Sequence, residues 1–144
     1  VFLAADHAGF ETKEFLQKKL DEEGFEAVDC GAFQYDPEDD YPDLVSKAAE
    51  ALQKEPDARA IILGGSGQGE AIEANRHKGV RAAVYYGGPL DIISLSREHN
   101  DANTLSLGAR FLTKEQAWQA SKLWLETQFS HAPRHERRIK KLDD

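Results

Sequence analysis

Residues 61–70 read Ile-Ile-Leu-Gly-Gly-Ser-Gly-Gln-Gly-Glu, an apolar strand followed by a loop with four glycines, one hydroxyl and one carboxylate. Glycines allow backbone N–H groups to approach a bound anion, and the helix that follows directs its positive end to the same place. A carboxylate in that position would repel a polyphosphate. It suits a substrate that loses a proton and briefly carries an oxyanion, so the loop predicts proton transfer at Glu70.

The two common nucleotide-binding loops do not fit this segment. A Walker loop requires Lys and then Ser or Thr after its last glycine, whereas Gly69 is followed by Glu70 and Ala71. In the dinucleotide fingerprint that starts at Gly65 and Gly67, the third glycine would fall at position 70. The loop is therefore not predicted to bind a nucleotide phosphate.

Each reactive residue near this loop also has a purely structural interpretation. Asp6 and His7 stand where the first strand turns into a helix, so Asp6 could cap that helix and His7 could be an exposed turn residue. Ser66 could be an ordinary turn residue. Glu70 could be a first-turn acid that interacts with the helix dipole, but this leaves the four glycines unexplained.

Two polar clusters lie further along the chain. His99 lies four residues after Leu95 on helical spacing, which fits either a partly buried packing histidine or a proton-transfer group. Arg134 and Arg138 are spaced to share one helical face, where they could hold a phosphate or simply be solvated.

Composition limits the class of protein. The 144 residues are 40% hydrophobic, as in one compact domain, and 26 acidic against 18 basic residues give a net charge of −8. Such a charge argues against a nucleic-acid or anionic-membrane surface. Cys30 is the only cysteine, and no metal-ligand spacing is present, so we expect no disulfide, no metal and no cofactor. With no apolar run of membrane length, we expect a cytoplasmic protein.

Short, mostly apolar segments alternate with helix-length stretches, which predicts an α/β protein with a five-stranded parallel sheet flanked by helices in three layers. The predicted strands are 1–5, 25–29, 60–63, 80–85 and 103–107. Two apolar helix faces are predicted to be core, namely Val45, Ala48, Ala49 and Leu52, and Ala117, Ala120 and Trp124. Residues 131–142 form a basic segment, predicted to be helical, with too little apolar surface for a core helix.

Ligands of open parallel sheets bind beyond the carboxyl ends of the strands. This rule gathers residues that are distant in sequence. They are Asp6, His7, Cys30, Gly31, the 64–70 loop, Gly108 and Arg110.

Six ordered motifs resemble the ribose-5-phosphate isomerase B family, whose superfamily includes the galactose-6-phosphate isomerase subunits. The motifs are Asp-His-Ala-Gly at 6–9, Asp-Tyr-Pro-Asp at 40–43, Gly-Gly-Ser-Gly-Gln-Gly-Glu at 64–70, Ala-Asn-Arg at 74–76, Arg-Glu-His-Asn-Asp-Ala-Asn at 97–103 and Arg-His-Glu-Arg-Arg at 134–138. The resemblance covers nearly the whole chain.

The resemblance implies one domain over residues 1–144 with a Rossmann-like strand order of 2-1-3-4-5. It also implies a homodimer, with the possibility of a tetramer, in which the C-terminal helix at about 131–142 packs on the partner subunit. The reaction would interconvert ribose 5-phosphate and ribulose 5-phosphate through an enediolate without a metal. Both subunits would contribute to each site.

Residue roles follow from the resemblance at matching positions. The residues implied in the chemistry are Glu70 as the base between C2 and C1, Ser66 at the substrate oxygens, and His99 of the partner subunit, which opens the sugar ring with Asp6. The residues implied in binding are Gly65, Gly67, Gln68 and Gly69 through the loop backbone, His7, Arg110, Arg134 and Arg138 at the phosphate, Asn100 at the hydroxyls, and Tyr41 at the wall.

Many members of the family have a cysteine base where Ser66 stands, and a neutral serine is a poorer base than a thiolate. This chain matches a subgroup that pairs the serine with a glutamate four residues later. Cys30 is then a bystander. The 85–89 loop, Tyr-Tyr-Gly-Gly-Pro, matches no family motif, which leaves a six-carbon sugar phosphate such as allose or galactose 6-phosphate as the alternative substrate. A non-catalytic sugar-phosphate sensor and a flavin or nucleotide module are the alternatives from other classes.

Overall fold

The computed structural model describes residues 1–143, which form a parallel five-stranded sheet with six helices. The strands are β1 (Phe2–Ala5), β2 (Val28–Asp29), β3 (Ala60–Gly64), β4 (Ala82–Tyr85) and β5 (Thr104–Gly108). The helices are α1 (Phe10–Glu22), α2 (Tyr41–Lys54), α3 (Gln68–Ala74), α4 (Asp91–Glu98), α5 (Lys114–Glu126) and α6 (Pro133–Ile139).

The strand order is β2-β1-β3-β5-β4, so the predicted order 2-1-3-4-5 is wrong for the last two strands. β5 pairs with β3 over its whole length and with β4 on its other side. All five residues of β5 are buried, whereas Ala82, Ala83 and Val84 of β4 are only partly buried. The more fully buried strand takes the interior position, and β4 forms the edge.

The helices cover both faces of the sheet and produce the predicted three layers. α2 packs with α3 on one face, and α1 and α4 pack with α5 on the other. Both helix faces that hydrophobic spacing predicted as core are buried, with Val45 at the first and Trp124 at the second fully enclosed.

Two predicted elements are shorter than expected by three or more residues. The strand predicted for 25–29 keeps only Val28 and Asp29 in the ladder, because Phe25 and Ala27 instead pack against the core beneath α1 and α5. The helix predicted for 131–142 spans Pro133–Ile139, since His131 adopts a left-handed conformation with φ of 56° just before the helix begins.

The exposed edge of the sheet is protected by a side chain at the first residue of β4. The amide of Asn75, just after α3, donates to the carbonyl of Ala82 at 3.1 Å and accepts from its N–H at 2.8 Å. The outward backbone groups of Ala82 are therefore both satisfied. Across residues 1–143, no helix is long and apolar enough to cross a membrane.

Candidate active site

The candidate site lies in a crevice at the carboxyl ends of β1 and β3. These strands are neighbours in the sheet, yet the helices that follow them, α1 and α3, lie on opposite faces. The two connections therefore diverge and leave an opening between them, as is typical of ligand sites in open α/β sheets. The Asp6–Gly9 turn forms one wall of the crevice, and the glycine loop with Glu70 forms the other.

Glu70 is the central acid of this crevice. Its residue is only 4% exposed, and its carboxyl group lies so close to Gly64 that a methyl group at that position would overlap it. Burial raises the pKa of Glu70, and the neighbouring carboxylate of Asp6 raises it further. A carboxylate that holds its proton more tightly than usual is a better base toward a carbon acid.

Asp6 holds the turn before α1 and is a neighbour of Glu70. One carboxylate oxygen, Oδ1, accepts from the N–H groups of Ala8 at 2.9 Å and Gly9 at 3.2 Å. The capping interpretation of Asp6 is therefore wrong, because α1 begins at Phe10 with Gly9 as its N-cap and no side-chain cap, and Asp6 holds the turn that precedes the helix. Holding this turn is compatible with a functional role, because the same side chain also lies against Glu70 inside the crevice.

The loop between β3 and α3 presents backbone donors next to Glu70. Gly67 has φ of +77°, a conformation that favours glycine, and its carbonyl accepts from the Ser106 hydroxyl at 2.5 Å. The Ser66 hydroxyl accepts from the N–H of Gln68 at 3.3 Å. Within residues 1–143, the N–H groups of Gly67 and Gly69 have no protein acceptor, which leaves them free for a ligand.

Arg110 and Tyr41 close the site over the same loop. The backbone N–H of Arg110 donates to the carbonyl of Gly65 at 3.1 Å, and its guanidinium lies over that glycine. Tyr41 is the first residue of α2, and its hydroxyl end lies against Gly69. Any side chain at either glycine would push these two groups away.

His7 has a partner that the sequence did not reveal. The Oδ1 atom of Asp39 lies 2.7 Å from Nδ1 of His7 and accepts from its backbone N–H at 3.1 Å. This bond raises the pKa of His7, and the charge of Asp6 adds to the effect. Asp39 lies in the polar 34–40 segment between β2 and α2, where no periodic sequence pattern marks it.

His99 and the two arginines lie elsewhere in the chain. His99 ends α4 just before the chain enters β5, at the amino edge of the sheet, whereas Glu70 follows β3 at the carboxyl edge. A five-residue strand is about 16 Å long, so one subunit does not bring both residues to the same bond.

A second polar cluster forms around His99. His99 is partly exposed and lines a cavity of about 200 Å³ together with Asn100, His135 and Arg138. Arg134 is exposed on α6, the helix that carries His135 and Arg138, and its charge lowers the pKa of His135. His99, Asn100, Arg134 and Arg138 therefore form a group of their own.

Two other residues stand apart from both groups. The residue Gln68 lines a groove between α3 and β4, so its backbone N–H is the part that faces the loop. Burial raises the pKa of the Cys30 thiol, which disfavours the reactive thiolate form. In the part of the chain that the structure describes, no three His, Cys, Asp or Glu side chains are placed to hold a metal ion.

The sequence matches the family described as Ribose/Galactose Isomerase over residues 1–142. It is 42% identical over 139 residues to ribose-5-phosphate isomerase B of Mycolicibacterium paratuberculosis, covering 96% of this chain and 86% of that protein. The fold is similar to ribose-5-phosphate isomerase B of Mycoplasma genitalium with bound ribulose 5-phosphate, with a TM-score of 0.93, 34% identity and coverage of 98% and 91%. It is also similar to the enzyme of Thermotoga maritima, with a TM-score of 0.91, 38% identity and coverage of 99% and 95%. The sequence and the fold agree along the whole length of the match, and the chain belongs to the ribose/galactose isomerase family.

Proposed function

We propose that the protein is an aldose–ketose isomerase that interconverts ribose 5-phosphate and ribulose 5-phosphate. The observation that carries this proposal is the buried carboxylate of Glu70 beside free backbone N–H groups of a glycine loop. A proton next to a carbonyl becomes acidic only if the oxyanion is stabilised as it forms, and this arrangement supplies the base and the donors together.

The reaction balances with these groups. The carboxylate of Glu70 takes the proton from C2 of the open-chain aldose, which leaves an enediolate held by the N–H groups of Gly67 and Gly69. The same carboxyl group returns the proton to C1, while the O2 proton moves to O1 with the help of the Ser66 hydroxyl. The product is the ketose, and Glu70 is again ionised.

The phosphate is held at the far end of the substrate. His7 and Arg110 lie close enough for their charges to affect each other, and they supply two positive groups at the carboxyl edge of the sheet. Arg134 and Arg138 supply two more from the partner subunit. Charge-assisted hydrogen bonds from such groups fix the position of the phosphate and thereby the position of C2.

We propose a homodimer in which each site contains residues of both chains. The separation of Glu70 and His99 at opposite edges of the sheet supports this assembly, because one chain alone lacks the ring-opening histidine at its own base. Exposed apolar side chains are available to form an interface, among them Ile72 at 60%, Ile92 at 44% and Leu95 at 44% exposure. Each subunit is a single domain, and α6 of one subunit packs on the other. Asn100 contacts the substrate hydroxyls. We place the enzyme in the cytoplasm, where an unpaired Cys30 stays reduced.

The first test is conversion of ribose 5-phosphate to ribulose 5-phosphate by the purified protein, with a chelator present. We expect turnover that the chelator does not reduce. Loss of activity on chelation would contradict the metal-free mechanism, and binding of the sugar phosphate without turnover would identify a sensor. The kcat/KM values for ribose 5-phosphate, allose 6-phosphate and galactose 6-phosphate then measure selectivity as a difference in transition-state binding. A higher value for a six-carbon substrate would overturn the pentose assignment.

A further inference from the structure

Asp39 and His7 form a pair that joins two distant segments of the chain. A single oxygen of Asp39, Oδ1, faces both the ring Nδ1 and the backbone N–H of His7, at 2.7 Å and 3.1 Å. The two residues are 32 positions apart, so the pair fixes the 34–40 loop against the beginning of the α1 turn. His7 is thereby held at two points, which restricts both its backbone and its ring.

The pairing determines which ring nitrogen is available. A carboxylate oxygen only accepts, so Nδ1 of His7 carries a hydrogen whenever Asp39 is ionised. Nε2 has no hydrogen-bond partner within residues 1–143 and is the atom left to meet a ligand. In a neutral ring Nε2 would be an acceptor and would repel a phosphate oxygen, which is also an acceptor. In a protonated ring Nε2 carries a hydrogen and donates to the phosphate.

The surroundings of Asp39 favour the protonated ring. The Asp39 side chain is only 12% exposed, and its second oxygen, Oδ2, is buried without a partner. The other charged groups that affect His7 are Asp6, which favours the cation, and Arg110, which opposes it, while Tyr35 contacts the ring by its edge. Loss of the His7 proton would leave a largely buried carboxylate without its cation, a costly state.

We propose that Asp39 is a positioning residue of the phosphate site, which orients the imidazole of His7 and keeps it a cation with Nε2–H directed at the phosphate. The assignment of the phosphate to His7 rests on the proposed function. Asp39 itself does not contact the substrate. Its effect is expected in the binding of the phosphate group and its pH dependence, with little effect on the proton transfer at Glu70.

The test combines a histidine titration with phosphate binding. In the wild-type protein, NMR should show His7 titrating above the ordinary value of about 6.5, with the signal assigned by its loss in His7→Gln. Asp39→Asn keeps an acceptor oxygen but removes the charge, so the His7 titration should move to lower pH. Asp36→Asn is the matched control, because Asp36 is an exposed acid of the same loop whose Oδ1 accepts from the N–H of Glu38 at 3.0 Å.

Inorganic phosphate is the binding probe. At a pH of about 7, just above the ordinary pKa of histidine, Asp39→Asn should weaken phosphate binding by up to about tenfold, the effect of one lost charge-assisted hydrogen bond. The loss should shrink at a pH of about 5.5, below that ordinary pKa. The KM for ribose 5-phosphate should rise in parallel, while kcat changes less than about twofold. An equal loss at both pH values would indicate a merely structural role and overturn the proposal.

Two further outcomes keep the proposal separate from the isomerase assignment. The His7 titration and the binding of inorganic phosphate do not require turnover, so both measurements report on Asp39 even if ribose 5-phosphate is not a substrate. If the His7 titration shifts but phosphate binding does not, the proposal fails, because the pair would then serve the fold alone. If Asp39→Asn does not fold, Asp39→Glu replaces it. That variant should keep His7 protonated but weaken phosphate binding through altered geometry, and unaltered binding would contradict the positioning role.

Discussion

His99 stacks on His135, with ring centroids 4.3 Å apart and an angle of 19° between the ring planes. His135 is 5% exposed and lies on α6, whereas His99 ends α4. The stack therefore ties the implied ring-opening histidine to the helix that carries Arg134 and Arg138. Burial lowers the pKa of His135, and the charges of His99 and of the two arginines lower it further.

His135 should make the fold sensitive to acid. Because its pKa is lower in the folded state than the unfolded value of about 6.5, the unfolded chain binds more protons below that pH, and stability should fall as the pH decreases through this value. His135→Phe retains an aromatic ring without titrating. Urea unfolding at pH values of about 8 and 5.5 should show a smaller loss of stability for the variant than for the wild type. His131→Phe, at a side chain that is 74% exposed, is the control and should leave the loss unchanged; an equal loss in His135→Phe would refute the assignment.

Glu70→Gln should remove the base while preserving the shape of the site. We expect kcat to fall by about 10²–10⁴-fold, the usual contribution of a general base, with a smaller change in KM. The matched control is Glu73→Gln on the same helix, since Glu73 is a partly exposed partner of His77 at 3.3 Å. Steady-state kinetics with ribose 5-phosphate measures both variants, and retention of the wild-type rate by Glu70→Gln would exclude Glu70 as the base.

The pH dependence of kcat/KM should identify the group whose protonation lowers the activity at acidic pH. Burial and Asp6 raise the pKa of Glu70, so kcat/KM should increase with pH as Glu70 loses its proton, at a higher pH than an ordinary carboxylate would require. Asp6→Asn removes one of the two causes and should move this acid limb of the kcat/KM profile to lower pH. An unmoved limb in Asp6→Asn would mean that another group titrates.

Arg138 should act mainly on binding. Arg138→Gln removes a proposed phosphate contact and should raise KM for ribose 5-phosphate by about tenfold to a hundredfold, since a hydrogen bond to a charged group contributes about 1.5–3 kcal/mol. Arg137→Gln is the control, because Arg137 is exposed on the same helix but on a different face. Equal KM values for the two variants would place the phosphate away from Arg138.

Two inactive variants should restore each other if the site is shared. When Glu70→Gln and His99→Ala subunits are unfolded together and reassembled, half of the dimers are mixed, and each mixed dimer has one intact site out of two. The expected activity is therefore about one quarter of that of the wild type. Reassembly of each variant alone is the control. Absence of recovery, with mixed dimers demonstrated by differently tagged subunits, would show that the sites do not combine residues of two chains.

Much of the crevice followed from the sequence because it depends on local chemistry. The glycine loop after β3 and the Asp6 turn after β1 are each marked by residue type, and parallel strands bring their carboxyl ends to one edge. Asp39 was missed for the opposite reason. It stands in a polar loop without periodicity, and only the tertiary fold brings it to His7.

The strand order could not be derived from the apolar pattern either. β4 and β5 are both short segments of suitable composition, and their position in the sheet depends on which of them pairs with β3. The difference appears only in burial, since Ser106 in β5 is fully enclosed although it is polar. Its hydroxyl is satisfied by the carbonyl of Gly67, a contact between residues 39 positions apart.

The amide of Asn75 has a consequence for how copies of this chain can associate. An unprotected edge strand recruits strands from other molecules, a route to sheet extension and to aggregation. At Ala82 that route is closed, because an incoming strand would have to displace two hydrogen bonds that the chain already makes with itself. At the opposite edge β2 offers only two residues for pairing. Neither edge therefore offers a long run of free backbone groups to the strand of another copy.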